Sequence, residues 1–259
     1  ADTVNGGSGS DSINFSSSGT LTSTDVTNVS DVENLNFSSG NDTFSFTDKA
    51  DYDSTISKFS TVRGGSGTNS IDFSSAVSGD LDFSKLSSFE TLNLSGSADT
   101  LTISGDEPST INGGAGNDTF SLDFSNVNNF VIDGGANDDT VNITGTSSSI
   151  SSDTNIFGAG AFDNIETLDL TAVNLTVDSD TSDGGTNAEY TLTGSMINDW
   201  TNNGSAGSLK LTLDADAASK LEFTNSIGTK YGGDDTGTAS ISNGNYTLDS
   251  GAELIINGL

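Results

Sequence analysis

The chain has no cysteine and no histidine. Disulfides, histidine-ligated zinc and the Ser–His and Cys–His nucleophile pairs are therefore excluded. Positive charge is nearly as scarce. One arginine, Arg63, and six lysines face 37 acidic residues, for a formal charge of −30. That balance excludes nucleic acid as a partner, because phosphate contacts need clustered Lys and Arg, and it argues against docking on anionic membranes. No apolar run approaches the ~20 residues of a membrane span, and the N-terminus does not read as a signal peptide. Hydrophobic residues make up only 31%, a level that would suit disorder. A disordered linker has no apolar periodicity and is usually rich in proline; this chain is periodic and has one proline, Pro108. A thin, regular core follows, which means a repeat architecture.

The rhythm is clearest from Thr68 to Thr144. Apolar residues alternate with polar ones at Ile71/Phe73, Leu81/Phe83, Leu92/Leu94, Leu101/Ile103, Phe120/Leu122 and Val141/Ile143, which is strand periodicity. Taking alternate members, Ile71, Leu92, Ile111 and Val131 are 21, 19 and 20 residues apart, and Leu81, Leu101, Phe120 and Val141 are 20, 19 and 21 apart. Two strands per coil of roughly 20 residues predict an all-β fold, a parallel β-roll or β-helix whose stacked coils bury one narrow apolar ladder.

The turns carry the chemistry. Gly6 to Asn14 and Gly113 to Ser121 fit G-G-x-G-x-D-x-U-x at every defined position. Gly64 to Asp72 has Asn69 for the Asp, and Gly134 to Asn142 has Asn137 for the fourth-position Gly. Remnants stand at Gly40 to Phe44 and at Ala98 to Leu101. In these residues the chain resembles the RTX (repeats-in-toxin) family, whose repeats form calcium-loaded β-rolls. The resemblance implies several Ca2+ ions per chain. The glycines would let each turn reach φ > 0 and direct its carbonyls inward, and calcium wants six to eight oxygens. The implied ligand set comprises the turn positions Gly6, Gly9, Gly64, Gly113, Ala115, Gly116, Gly134 and Ala136, with the side chains of Asp11, Asp42, Asn69, Asp99, Asp118 and Asp139. Asp99, Asp118 and Asp139 should line one edge. Ions are expected between the Gly113 and Gly134 turns and between the Ala98 and Gly113 turns.

A second word, U-E-[NT]-L-[ND]-U, recurs at Val32–Phe37, Phe89–Leu94 and Ile165–Leu170. It is similar to words interspersed with RTX repeats in surface-layer proteins and large adhesins. Glu33, Glu90 and Glu166 read either as solvated turn residues or as stand-ins for the turn Asp. The β-roll is expected over residues 1–185. Insertions interrupt it near 47–61, where Ile56 and Phe59 suggest a short helix, and near 146–163, where Phe157 and Phe162 would cover the roll's side. Residues 186–259 lack the motif. Alternation at Tyr190/Leu192, Leu209/Leu211/Leu213, Leu221/Phe223, Tyr246/Leu248 and Leu254/Ile256 predicts a β-rich capping module. A short helix should follow Ser195, carrying Met196, Ile197 and Trp200.

The function expected from this reading is structural and non-enzymatic: a calcium-dependent segment of a bacterial cell-surface protein, in a surface-layer lattice or a large adhesin. The resemblance implies type I secretion, an extracellular or cell-surface location, and like subunits or a glycan or other cell-surface ligand as partners. A noncatalytic module of a secreted enzyme is the alternative. A further alternative is a glycan- or ice-binding face built on an outward row of Thr43, Thr100, Thr119 and Thr140. Catalysis within the chain would fall on Asp/Glu pairs alone, and none has a pocket evident in the sequence.

Overall fold

The computed structural model describes residues 2–103, 108–123, 131–147 and 162–175, together with the strands Tyr190–Thr193, Ser208–Thr212, Leu221–Thr224, Lys230–Tyr231, Gly244–Thr247 and Glu253–Asn257. Parallel strands wind into a β-solenoid of about six turns spaced about 22 residues apart, the fold class expected from the sequence. Contacts group the chain into two compact units, Ala1–Asp118 and Thr119–Leu259. The boundary expected at 185/186 lies outside the described residues.

In the first unit the coils build four parallel sheets rather than two strand rows, the smallest pairing Val4–Asn5 with Val29–Ser30. A second holds Ser12–Asn14, Asn34–Asn36, Thr61–Arg63 and Leu86–Ser87, with Ile13 opposite Leu35, Leu35 opposite Val62 and Val62 opposite Leu86. The next stacks Leu21, Phe44, Ile71, Leu92 and Ile111 from Thr20–Thr22, Thr43–Phe46, Ser70–Phe73, Thr91–Asn93 and Thr110–Asn112. The fourth pairs Ser78–Asp80 with Thr100–Ile103. In the central strands an apolar residue points inward between two polar ones, and Leu35, Val62, Phe44, Ile71, Leu92 and Ile111 are all fully buried. Each such side chain contributes roughly 1.5–3 kcal/mol. The spacing predicts Leu81 against Leu101; instead Gly79 lies opposite Leu101, and Leu81 is buried just beyond the strand.

The expected helical insertion is the helix Lys49–Ile56, capped by Asp48, whose carboxylate accepts the Asp51 N–H at 2.9 Å. It displaces the register to 27 residues between Phe44 and Ile71. Tyr52 is its buried anchor. Its ring lies 5.0 Å from Phe46 and 5.9 Å from Phe73, and its hydroxyl donates to the Asp82 carbonyl at 2.8 Å. The helix thus packs on the roll with Ala50, Asp53 and Ser54 exposed and fills the core beneath it with an aromatic ring.

In the second unit, Thr119–Asp123, Thr140–Ser147, Thr167–Leu175, Ser208–Thr212 and Glu253–Asn257 lie side by side in parallel. Gly244–Thr247 adds antiparallel to the last of them. Val131–Asp133 pairs with Phe162–Asp163, placing Ile132 opposite Phe162. Two expectations change here. Val131 is 47% exposed while Ile132 is buried, so the inward position is shifted by one residue. Phe162 is a buried member of the ladder and not a side cover. Strands occupy the segments expected after Tyr190. The helix expected after Ser195, together with Phe157, Leu213 and Leu248, lies outside the described residues.

Candidate functional site

The glycine turns meet two separate demands. The second and fourth positions take positive φ: Gly7 +89°, Gly9 +131°, Gly65 +90°, Gly67 +119°, Gly114 +97°, Gly116 +116° and Gly135 +98°. Asn137 holds the fourth position at +91°, in a region where a side chain is strained. The first glycine is there for space, a role that reading every glycine as a φ > 0 residue misses. A Cβ at Gly6 would stand 1.9 Å from the Asp31 carbonyl, at Gly64 1.9 Å from that of Ser88, and at Gly134 2.3 Å from that of Asn164. Those carbonyls belong to the turns of the glutamate word, where Asp31, Ser88 and Asn164 themselves have φ of +53°, +60° and +50°. The two words are therefore one device. Each of these three glycine turns is covered by a glutamate turn of the following coil.

The acidic side chains join the coils through backbone N–H groups that would otherwise lack partners at the turn. Glu33 Oε2 accepts the Asp11 N–H at 2.8 Å, Glu90 Oε2 the Asn69 N–H at 2.8 Å, and Glu166 Oε2 the Asp139 N–H at 2.7 Å. The turn Asp and Asn residues do the same work. Asp42 Oδ1 accepts the Gly19 N–H at 2.7 Å, Asn69 Oδ1 the Asp42 N–H at 2.9 Å, and Asp118 Oδ1 the Asp99 N–H at 2.7 Å. Asp99 Oδ1 accepts the Val77 N–H. A hydrogen bond to a charged partner is worth about 1.5–3 kcal/mol. The half-buried glutamates thus stand in for the turn Asp as N–H acceptors.

The predicted residues fall on three edges of the roll. Asp11 precedes the strand Ser12–Asn14; Asp42 and Asn69 precede Thr43–Phe46 and Ser70–Phe73; Asp99 precedes Thr100–Ile103, and the Asp99–Asp118 hydrogen bond puts these two on one ladder. Asp139 precedes Thr140–Ser147 and is laddered with Glu166. Asp42, Asn69, Asp99, Asp118 and Asp139 are all buried, as are Gly113 and Gly134, whereas Gly9 and Ala136 are exposed. Gly116 packs on the Ala98 N–H, and the Ala115 N–H donates to the Ser95 carbonyl at 3.4 Å. Burial pushes the Asp99 carboxyl up, against the Val77 and Ser95 groups that hold it down. Burial likewise pushes Glu166 up, opposed by the Asp139 N–H.

Among the described residues no three acidic side chains gather at one point, so a calcium ion here would need main-chain oxygens. The turns differ in whether they offer any. Asp42 Oδ2 accepts from the Ser38 hydroxyl at 3.1 Å, and Asp99 Oδ2 from the Ser95 N–H and hydroxyl, both at 3.1 Å. Asn69 has both amide atoms bonded, Nδ2 donating to the Ser88 carbonyl at 2.9 Å. These three side chains have hydrogen-bond partners on both terminal atoms. Asp11 fits a metal: its Oδ2 is buried without a hydrogen bond, and it shares the space beside Gly6 with the Asp31 carbonyl oxygen.

The expected threonine row forms only in part: Thr119 lies opposite Thr140 and Thr140 opposite Thr167, but Thr43 is not in it. Thr43 belongs to a different sheet from Thr100, and its row in the first unit is Thr20, Thr43, Ser70, Thr91 and Thr110. Among the described residues no helix is long and apolar enough to cross a membrane. No family model, curated protein or solved structure matches the chain.

Proposed function

We propose that this chain is a non-catalytic structural segment of a bacterial cell-surface protein, a β-roll of the RTX kind that completes its folding on extracellular calcium. The single observation that carries the reading is the Gly6 turn. There a buried carboxylate oxygen with no hydrogen bond and a carbonyl oxygen of the next coil occupy the same space. Two acceptors so placed call for a cation between them, and a hard divalent ion takes carboxylate and carbonyl oxygens together. Asp11 with the Asp31 carbonyl would hold one ion. Beside Gly134 the Asp139 Oδ2 and the Asn164 carbonyl oxygen are likewise brought close, and Asp118 stands at the same motif position. The ion would supply charge neutralisation and a cross-link between turns. At −30 the chain repels itself, and a ligand bound only by the coiled state stabilises that state by mass action.

The outward side chains support a scaffold over a ligand-binding face, because they bond to one another along the sheet. Asn36 Nδ2 donates to Asn14 Oδ1 at 2.8 Å, Asn93 Nδ2 to Asp72 Oδ1 at 2.6 Å, and Asn112 Nδ2 to Asn93 Oδ1 at 2.7 Å. The decisive test is calcium titration of chelator-treated protein, followed by calorimetry and far-UV circular dichroism. Uptake of several ions with a gain in β signal is expected. Full folding in chelator with no ion uptake would end the calcium reading.

A further inference from the structure

Three turns share one contact and differ in one atom. Beside Gly6, Gly64 and Gly134, a carbonyl of the glutamate turn and the sixth-position side chain of the same glycine turn meet at one place. A Cβ there would lie 2.9 Å from Asp11 Oδ2, 2.9 Å from Asn69 Nδ2 and 2.7 Å from Asp139 Oδ2 respectively. At Asp11 and Asp139 the atom facing the carbonyl is an oxygen. At Asn69 it is an N–H donor, bonded to the Ser88 carbonyl at 2.9 Å.

We propose that Asn69 is the residue that takes the Gly64 turn out of the set of cation sites, its amide being a built-in substitute for the ion. Asn69 then clasps three successive coils without metal. Its Oδ1 takes the Asp42 N–H, its Nδ2 reaches Ser88, and its own N–H goes to Glu90. The neighbouring acids are closed as well, Asp42 by Ser38 and Asp99 by Ser95. The coils between Asn34 and Asn93 therefore form an ion-independent nucleus, and the Gly6 turn depends on the ion. The contrast rests on the calcium reading given above; the clasp itself is a set of hydrogen bonds.

Hydrogen exchange of the full chain, read by mass spectrometry in calcium and in chelator, tests this. In chelator, peptides covering residues 34–93 keep their protection while those covering 4–15 lose at least tenfold. N69D makes residues 34–93 chelator-sensitive, with protection restored by calcium and one more ion bound per chain. The reciprocal variant D11N, which places an amide donor opposite the Asp31 carbonyl, keeps residues 4–15 protected in chelator. Loss of protection at 34–93 in step with 4–15 in the wild type would overturn the inference. So would a D11N that opens like the wild type, or an N69D indistinguishable from it. If calcium changes nothing in the wild type, the proposed function fails. The clasp then stands only if N69D still exchanges faster over 34–93, now without rescue by calcium.

Discussion

The glycine turn of the first coil and that of the third have the same sequence design but different surroundings. At Gly65 and Gly67 a Cβ would stand 2.0 Å from the Ser38 carbonyl and 2.3 Å from the Gly40 carbonyl, whereas at Gly7 and Gly9 it would meet nothing within 4 Å. The φ values are nearly the same, +90° at Gly65 and +89° at Gly7. One motif glycine therefore answers two requirements that this molecule separates. Left-handed backbone is needed wherever the turn occurs, and a bare Cα is needed only where another turn lies beneath.

That separation can be measured. Gly65→Ala should cost about 4 kcal/mol, because strain and a backbone clash add, while Gly7→Ala should cost about 1–2 kcal/mol from strain alone. Urea unfolding in calcium buffer reads both, and equal losses would break the comparison. Ile132→Ala should cost about 3 kcal/mol and Val131→Ala under about 0.5 kcal/mol, which sharpens the register of the second unit. Reversed effects would restore Val131 to the ladder. Ser95→Ala removes the hydroxyl on Asp99 Oδ2 but leaves the Ser95 N–H, so a loss of about 1 kcal/mol is expected. A loss above about 3 kcal/mol would mean the turn depends on that hydroxyl alone. The smallest effect belongs to Asp25. The Thr22 hydroxyl and N–H hold its carboxyl below the ordinary value of 3.8. A depressed carboxylate contributes stability above its unfolded value and loses it as pH falls through the folded one. Asp25→Asn should therefore lower stability slightly at neutral pH and flatten the profile below that value, where the wild type has already lost the contribution.

The strands were legible because an inward Leu or Ile between two polar residues has no other economical use, and Ile71, Leu92 and Ile111 stack in the register their spacing implies. The sheet that stacks Ile13, Leu35, Val62 and Leu86 was not legible. Coils lengthened by insertions place Leu35 27 residues from Val62 and Ile132 30 residues from Phe162, and a search for a 20-residue period passes over both. Val131 and Ile132 are adjacent and both apolar, so composition alone could not choose the inward one. The acidic turn positions were found by motif, but the purpose of the glutamate word was hidden. Glu33 and Asp11 are 22 residues apart, and only stacking puts one's carboxylate on the other's N–H. The signal that could have found it is the three-fold recurrence of a glutamate word after a glycine turn.

Every rung of these ladders runs the same way: the side chain comes from the later coil and the N–H from the earlier one. The two ends of a shortened stack are therefore unequal. Trimming from the N-terminal side releases carboxylates, which water solvates readily. Trimming from the C-terminal side strips amides of their charged acceptors at the turns and leaves water in their place, a weaker partner than a carboxylate. Each coil therefore completes the turn of the coil before it, and the stack has a direction set by the order in which its acceptors arrive.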